Sequence, residues 1–247
     1  VNGEAALSIT DLRVSYGGVH AVDGLSLEVQ RGSLTGLIGP NGAGKTSAID
    51  AITAFTPSSG RVVLKGRDIS RTSAHRRARL GLRRTWQSLE LFDDLTVQEN
   101  LEVSTGRRAA RGELEQVLSL LGIEDERHRL PTELSHGARK LVGVARSLVA
   151  RPSVLALDEP AAGLDSDESQ SFGRTLRSLA DEGLSMLLVD HDMSLVLTVC
   201  DYLYVLEFGR LIAQGTPREV AKDPAVVAAY LGASSHEAAL VGEGGAA

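Results

Sequence analysis

The stretch GPNGAGKT, Gly39 to Thr46, sets three glycines beside a lysine and a hydroxyl. It follows the apolar run LTGLI and precedes SAIDAITAF, where Ala48, Ile49, Ile52 and Phe55 recur at helical spacing. The glycines therefore mark a strand-to-helix turn. Glycine lets the chain turn sharply and lets N–H groups approach a ligand without a Cβ in the way. A helix N-terminus adds unpaired N–H groups and partial positive charge, which suits phosphate. Lys45 contributes a full charge, and Thr46 a hydroxyl suited to Mg²⁺. The pattern G-x-x-x-x-G-K-[ST] is the complete P-loop signature. It predicts that Gly39, Asn41, Gly42, Ala43, Gly44, Lys45, Thr46 and Ser47 surround the phosphates of a nucleoside triphosphate.

A second stretch, VLALDEP, ends a buried-type strand with Asp158 and Glu159. A carboxylate at a strand end opposite a P-loop can hold Mg²⁺, directly or through water, which is the expectation for Asp158. Hydrolysis also needs a group that orients and deprotonates water, and Glu159 is the adjacent candidate. Gln87 in RTWQS, Asp165 in AAGLD and His191 in LLVDHD are weak signals singly. Their order and spacing with the P-loop and LALDEP place them facing the terminal phosphate.

These residues need a scaffold. LSITDLRVSY and LSLEVQ alternate like strands and are separated by GGVHAVDG, and RVVLKGRDI adds another strand after TPSSG. From about residue 88 to 148 the pattern turns mainly helical. ELEQVLSLLGI there puts Leu114, Val117, Leu118 and Leu121 on one face. Strand–helix alternation then returns: SVLALDEP, a helix capped by Asp165 or Ser166 and stopped by Gly183, the strand SMLLVDH, the helix MSLVLTVCD, and the hairpin-like YLYVLEFGRLIAQG. The expected class is α/β: a P-loop core over 7–87 and 149–233 with an antiparallel β part, a helical insertion over 88–148, and a mobile tail over 234–247.

Composition narrows the function. The net charge of −6 and pI near 5.6 argue against broad nucleic-acid affinity. The basic run RRARLGLRR, 76–84, lacks interleaved aromatics and reads as a solvated face. The single cysteine, Cys200, sits in apolar SLVLTVC and reads as a small buried hydrophobe in a reducing compartment. No apolar run approaches the ~20 residues that span a bilayer. The first residues, VNGEAALSIT, lack a secretion-signal pattern. A cytoplasmic chain acting at a membrane through other proteins is the expectation.

With these motifs assembled, the sequence resembles the ATPase subunits of ABC transporters over about residues 7–232. GPNGAGKT matches Walker A, Gln87 the Q-loop, LSHGARK (134–140) the signature, VLALDEP Walker B, AGLD the D-loop and His191 the H-loop. RTWQSLELFDDLTVQENL, LVDHDMSLVLTVCDYLYVLEFGRLIAQGTPREV and VVAAYLGA look like the branched-chain amino acid transporter ATPases. Importers of urea or short amides, and ATPases that extract lipopolysaccharide, share that look. Nontransport ABC ATPases are the more distant alternative.

The resemblance implies an ABC-type ATPase fold that binds ATP with Mg²⁺ at the cytoplasmic face of the membrane. Tyr16 would stack on adenine. Ser135 and Gly137 would meet the phosphate held by a second, head-to-tail ATPase subunit, identical or paralogous. Gln87 would sense the terminal phosphate and Mg²⁺, joining Thr46 and Asp158 as a metal ligand, and His191 would support hydrolysis. Transmembrane permease subunits would be the direct partners and a substrate-binding protein an indirect one. No nucleic acid is expected. The chain departs from the family at His136, where glycine is usual, and at Ala138, where glutamine or glutamate is.

Overall fold

The computed structural model describes residues 5–86, 91–105 and 111–230. Two sheets share one molecule. The first is antiparallel, in the order β2–β1–β4–β5, from β1 (Ala5–Tyr16), β2 (Val19–Gln30), β4 (Ser59–Leu64) and β5 (Arg67–Asp68). The second has six strands in the order β10–β9–β3–β8–β7–β6. These are β3 (Leu34–Ile38), β6 (Leu82–Arg84), β7 (Val154–Asp158), β8 (Ser185–Val189), β9 (Tyr202–Glu207) and β10 (Arg210–Gly215). Strands β6, β7, β8, β3 and β9 run parallel, and β10 closes that edge antiparallel to β9.

Strands β3, β7 and β8 are buried along their whole length, as a parallel sheet covered on both faces requires. Alternate side chains feed two cores. Leu155, Leu157, Met186 and Leu188 join one with the helices α3 (Val97–Thr105), α4 (Arg111–Leu121), α5 (His136–Leu148), α6 (Ser166–Asp181) and α7 (Met193–Val199). Val154, Ala156, Leu187 and Val189 join the other, between the two sheets. Helix α1 (Lys45–Ile52) lies in that second core through Ala48, Ile49 and Ile52. The expected face of α4 is present: Leu114, Leu118 and Leu121 are buried, and Val117 packs against them. Asp165, one of the two expected caps, caps α6, its carboxylate accepting from the N–H groups of Asp167 and Glu168 at 2.9 and 2.8 Å.

Three expectations need correction. The separator GGVHAVDG is mostly strand, because β2 begins at Val19 and only Gly17–Gly18 make the turn. Phe55 leaves the buried face of α1, since that helix ends at Ile52, and its ring is 55 % exposed. The basic run is not a uniformly solvated face. Arg77, on α2 (Ala74–Arg79), is buried and donates to the carbonyls of Ala51 and Ile52 at the end of α1. The orphan carbonyls of that helix end thus find a cation, which offsets the cost of burying it. The side chain of Arg84, at the end of β6, is buried as well.

Cys200 caps the end of α7 and is buried, as its apolar context suggested, and burial pushes its thiol pKa far up. Because the thiolate is the reacting species, native protein is expected to resist iodoacetamide until unfolded. Mass spectrometry after labelling with and without denaturant checks this, and stoichiometric labelling of the native chain would contradict it.

Candidate nucleotide site

Three neighbouring parallel strands, β3, β8 and β7, deliver the candidate residues at their carboxyl ends, where ligands of open α/β sheets bind. From β3 the chain enters the glycine loop. A Cβ at Gly39 would meet Leu206 O at 2.1 Å, and one at Gly44 would meet Ala21 O at 2.2 Å. Both positions also have positive φ, so side chains are excluded twice over. Gly44 is the N-cap of α1 and no side chain caps that end. The first amides of α1 therefore face outward for an anion. Lys45 is 5 % exposed, and its ammonium donates to Gly39 O at 2.7 Å and Pro40 O at 3.1 Å. Burial lowers its pKa, and the nearby charges of Glu159, Asp190 and Asp158 partly restore it. Asn41, Gly42 and Thr46 are exposed, Ala43 is buried, and Ser47 is half-buried.

From β7 come Asp158 and Glu159. Asp158 is buried and accepts from Arg84 Nη2 at 2.6 Å. Burial raises its pKa, and the Arg84 contact opposes that rise. Glu159 has a left-handed backbone, φ 43°, and its N–H donates to Val189 O at 2.7 Å. Non-glycine residues held there store strain of about 1–3 kcal/mol, and such residues cluster at functional sites. From β8 come Asp190 and His191. His191 Nδ1 lies 3.6 Å from Glu159 Oε1 and 3.6 Å from Asp190 Oδ1.

Asp190 is a member of this cluster that the sequence reading passed over. It is buried, its Oδ1 accepts from the N–H groups of His191 and Asp192, and its Oδ2 has no hydrogen-bond partner. Desolvation raises its pKa. The signal was an acid at the end of an apolar run, next to a residue already singled out.

The carboxylate oxygens of Asp158 and the orphaned Asp190 Oδ2 are donors of the kind a hard cation takes. Among the described residues no group of three or more His, Cys, Asp or Glu could hold a metal alone. A cation here would lean on one or two carboxylates plus phosphate oxygens, the usual arrangement for Mg²⁺.

Other candidates stand apart from this cluster. Tyr16 is half exposed at the β1–β2 turn, its hydroxyl 3.2 Å from Thr56 Oγ1. Ser135 caps α5, accepting from Ala138 N at 3.1 Å. Gly137 lies against Glu168, a Cβ there meeting its carboxylate at 3.4 Å. The His136 ring lies against Gly163 of AAGLD in the same chain, with Nε2 3.2 Å from where a Cβ would stand. Gln87 lies outside the described residues.

Comparison with known proteins agrees with this geometry. Residues 22–162 match the family model described as ABC transporter. Residues 210–236 match the model described as branched-chain amino acid ATP-binding cassette transporter. The chain is 35 % identical to the high-affinity branched-chain amino acid transport ATP-binding protein LivG of Salmonella typhimurium, covering 92 % of this chain and 97 % of that one. It is also 35 % identical to the lipopolysaccharide export system ATP-binding protein LptB of Escherichia coli, covering 92 % and 98 %. Among solved structures, the ADP conformation of MJ1267, an ATP-binding cassette of an ABC transporter, superposes with a TM-score of 0.85 at 30 % identity, covering 92 % and 99 %. A P-loop and a paired glutamate and histidine at adjacent strand ends, within a family match covering more than half the sequence, lead to one conclusion: the chain belongs to the ABC transporter family and is one of its ATPases.

Proposed function

We propose that this ATPase energises an importer of branched-chain or related amino acids, bound peripherally at the cytoplasmic face of the membrane. The observation that carries the cargo class is the match of residues 210–236 to the model described as branched-chain amino acid ATP-binding cassette transporter. The similarity to LivG supports it. The equal identity to LptB keeps lipopolysaccharide extraction as the second reading.

The mechanism follows from the chain's own groups. The outward amides of α1 and the Lys45 ammonium bind the β- and γ-phosphates. Thr46 and Asp158 would hold Mg²⁺, which would neutralise charge on the phosphate oxygens. Glu159 takes a proton from the attacking water, and His191 holds the glutamate and the terminal phosphate in register. Tyr16 offers its ring to adenine. Ser135 and Gly137, exposed or half-exposed at the start of α5, complete the site of a second ATPase subunit. Gln87 is assigned the link between terminal phosphate and helical part.

An exposed aromatic patch supports a permease partner. Phe55 and Trp86 make a T-shaped contact with ring centroids 4.6 Å apart, and Trp86 is 42 % exposed. No helix among the described residues is long and apolar enough to cross a membrane, so contact with a membrane would run through such a partner.

Uptake in the source cells tests the reading. Deleting the gene is expected to abolish high-affinity uptake of labelled leucine, isoleucine and valine, and Glu159→Gln should fail to restore it. Unchanged leucine uptake together with an outer-envelope lipid defect would favour the second reading.

A further inference from the structure

Three consecutive residues join parts of the site that the mechanism leaves separate. Strand β6 pairs with β7 through Arg84 and Ala156, and Thr85 N donates to Ala156 O at 2.9 Å. This register brings the Arg84 side chain to the carboxyl end of β7. Its Nη2 donates to Asp158 Oδ2 at 2.6 Å. Its Nη1 donates to Asp50 of α1 and lies 3.5 Å from Thr53 Oγ1. The central carbon of the same guanidinium, Cζ, lies over the Trp86 ring, 4.3 Å from its centre, and 6.0 Å from that of Phe55.

The burial is graded along this chain of contacts. The Arg84 and Asp158 side chains are 5 % and 4 % exposed, whereas Trp86 and Phe55 reach solvent. A guanidinium suits this place because its donors lie in the plane while its faces stay free for an aromatic ring. An ammonium can satisfy a carboxylate but offers no face, and a neutral amide gives up the charge. Burying an ion pair brings little net stability, so stability alone gives no reason for an arginine here. Its geometry does, because one rigid group fixes the distance between a carboxylate inside the site and an indole at the surface.

We propose that Arg84 is a positioning residue that ties the Asp158 carboxylate to the Trp86 indole, so that loading of Asp158 by a divalent cation is felt at the exposed aromatic patch. The coupling is reciprocal: a partner seated on Trp86 and Phe55 biases how Asp158 is held. The proposal rests on the reading of Asp158 as a residue that helps hold Mg²⁺.

Trp86 is the single tryptophan, so intrinsic emission reports that position. The full chain, Arg84→Gln and Arg84→Lys would be compared in two measurements. The first is ATP affinity by calorimetry in EDTA and the Mg²⁺ concentration for half-saturation at saturating ATP. The second is the change in Trp86 emission when Mg²⁺ is added to the ATP-bound protein. Losing the group that orients a metal-holding carboxylate costs about 10–100-fold in metal affinity. Arg84→Gln is therefore expected to need about tenfold more Mg²⁺, to keep its ATP affinity in EDTA, and to lose the emission change. Arg84→Lys should recover part of the Mg²⁺ affinity without the emission change.

A folded Arg84→Gln with the wild-type Mg²⁺ requirement and emission response would overturn the proposal. If Arg84→Gln does not fold, Asp50→Asn replaces it. That variant keeps the Asp158 contact and loosens the other anchor of Arg84. A raised Mg²⁺ requirement with a weakened emission response supports the proposal, and wild-type values in both sink it. Absence of ATP binding by the wild-type chain in EDTA and in Mg²⁺ alike would instead remove the nucleotide-site reading, which separates the two failures.

Discussion

Glu159→Gln is expected to lower ATP turnover by about 10²–10⁴-fold while leaving ATP binding in place, the range that removal of a general base produces. The geometry leaves few alternatives for the proton. Glu159 follows the strand that carries Asp158, and its N–H is pinned to Val189 O at 2.7 Å. That bond and the left-handed φ of 43° fix where the side chain starts. Its Oε1 lies 3.6 Å from His191 Nδ1. Glutamine has the same shape and loses only the negative charge and the basic oxygen. Phosphate-binding groups on α1 are untouched, so the loss should fall on kcat and not on nucleotide affinity. Phosphate release and equilibrium ATP binding, measured on the same preparation, decide it. Turnover at the wild-type rate in the variant would remove Glu159 from the role of base.

Much of the fold and part of the site were legible because their signals are local. The glycines of GPNGAGKT answer to contacts a side chain would break, such as the 2.2 Å approach of a Gly44 Cβ to Ala21 O. Strands β3, β7 and β8 announce themselves as short apolar runs because both of their faces are covered. What stayed hidden depends on partners distant in the chain. In RRARLGLRR every arginine looks alike, yet Arg77 reaches carbonyls 25 and 26 positions away and Arg84 a carboxylate 74 positions away. A count of charges cannot tell which of them is solvated. Phe55 continued the helical period of α1 in the sequence, but the helix stops at Ile52 and the ring turns to Trp86. Asp190 was passed over because an acid at a strand end is ordinary until its burial and its orphaned oxygen are seen.

Lys45→Ala is expected to weaken ATP binding by about 10–100-fold, the equivalent of one charge-assisted hydrogen bond at ~1.5–3 kcal/mol. The ammonium lies over its own loop, 2.7 Å from Gly39 O and 3.1 Å from Pro40 O. From there it can turn to a phosphate oxygen while the loop amides hold the others. Arginine should not substitute. Lys45 is 5 % exposed, and a planar guanidinium is too wide for a place that fits a compact ammonium. Stability should respond differently from binding. Desolvation lowers the Lys45 pKa, so the buried charge is disfavoured where it sits and its removal relieves that penalty. The variant also gives up the hydrogen bonds to Gly39 O and Pro40 O, so the melting temperature of the nucleotide-free protein is expected to change little. The rise in melting temperature that ATP gives the wild type should shrink, because ligand stabilisation grows with the logarithm of [ATP]/Kd and the variant's Kd is larger. Thermal melts with and without ATP, beside a competition titration with a fluorescent ATP analogue, read both effects. Equal ATP-dependent stabilisation in wild type and Lys45→Ala would show that the phosphates bind elsewhere. A large fall in the nucleotide-free melting temperature would show that the lysine chiefly holds the loop.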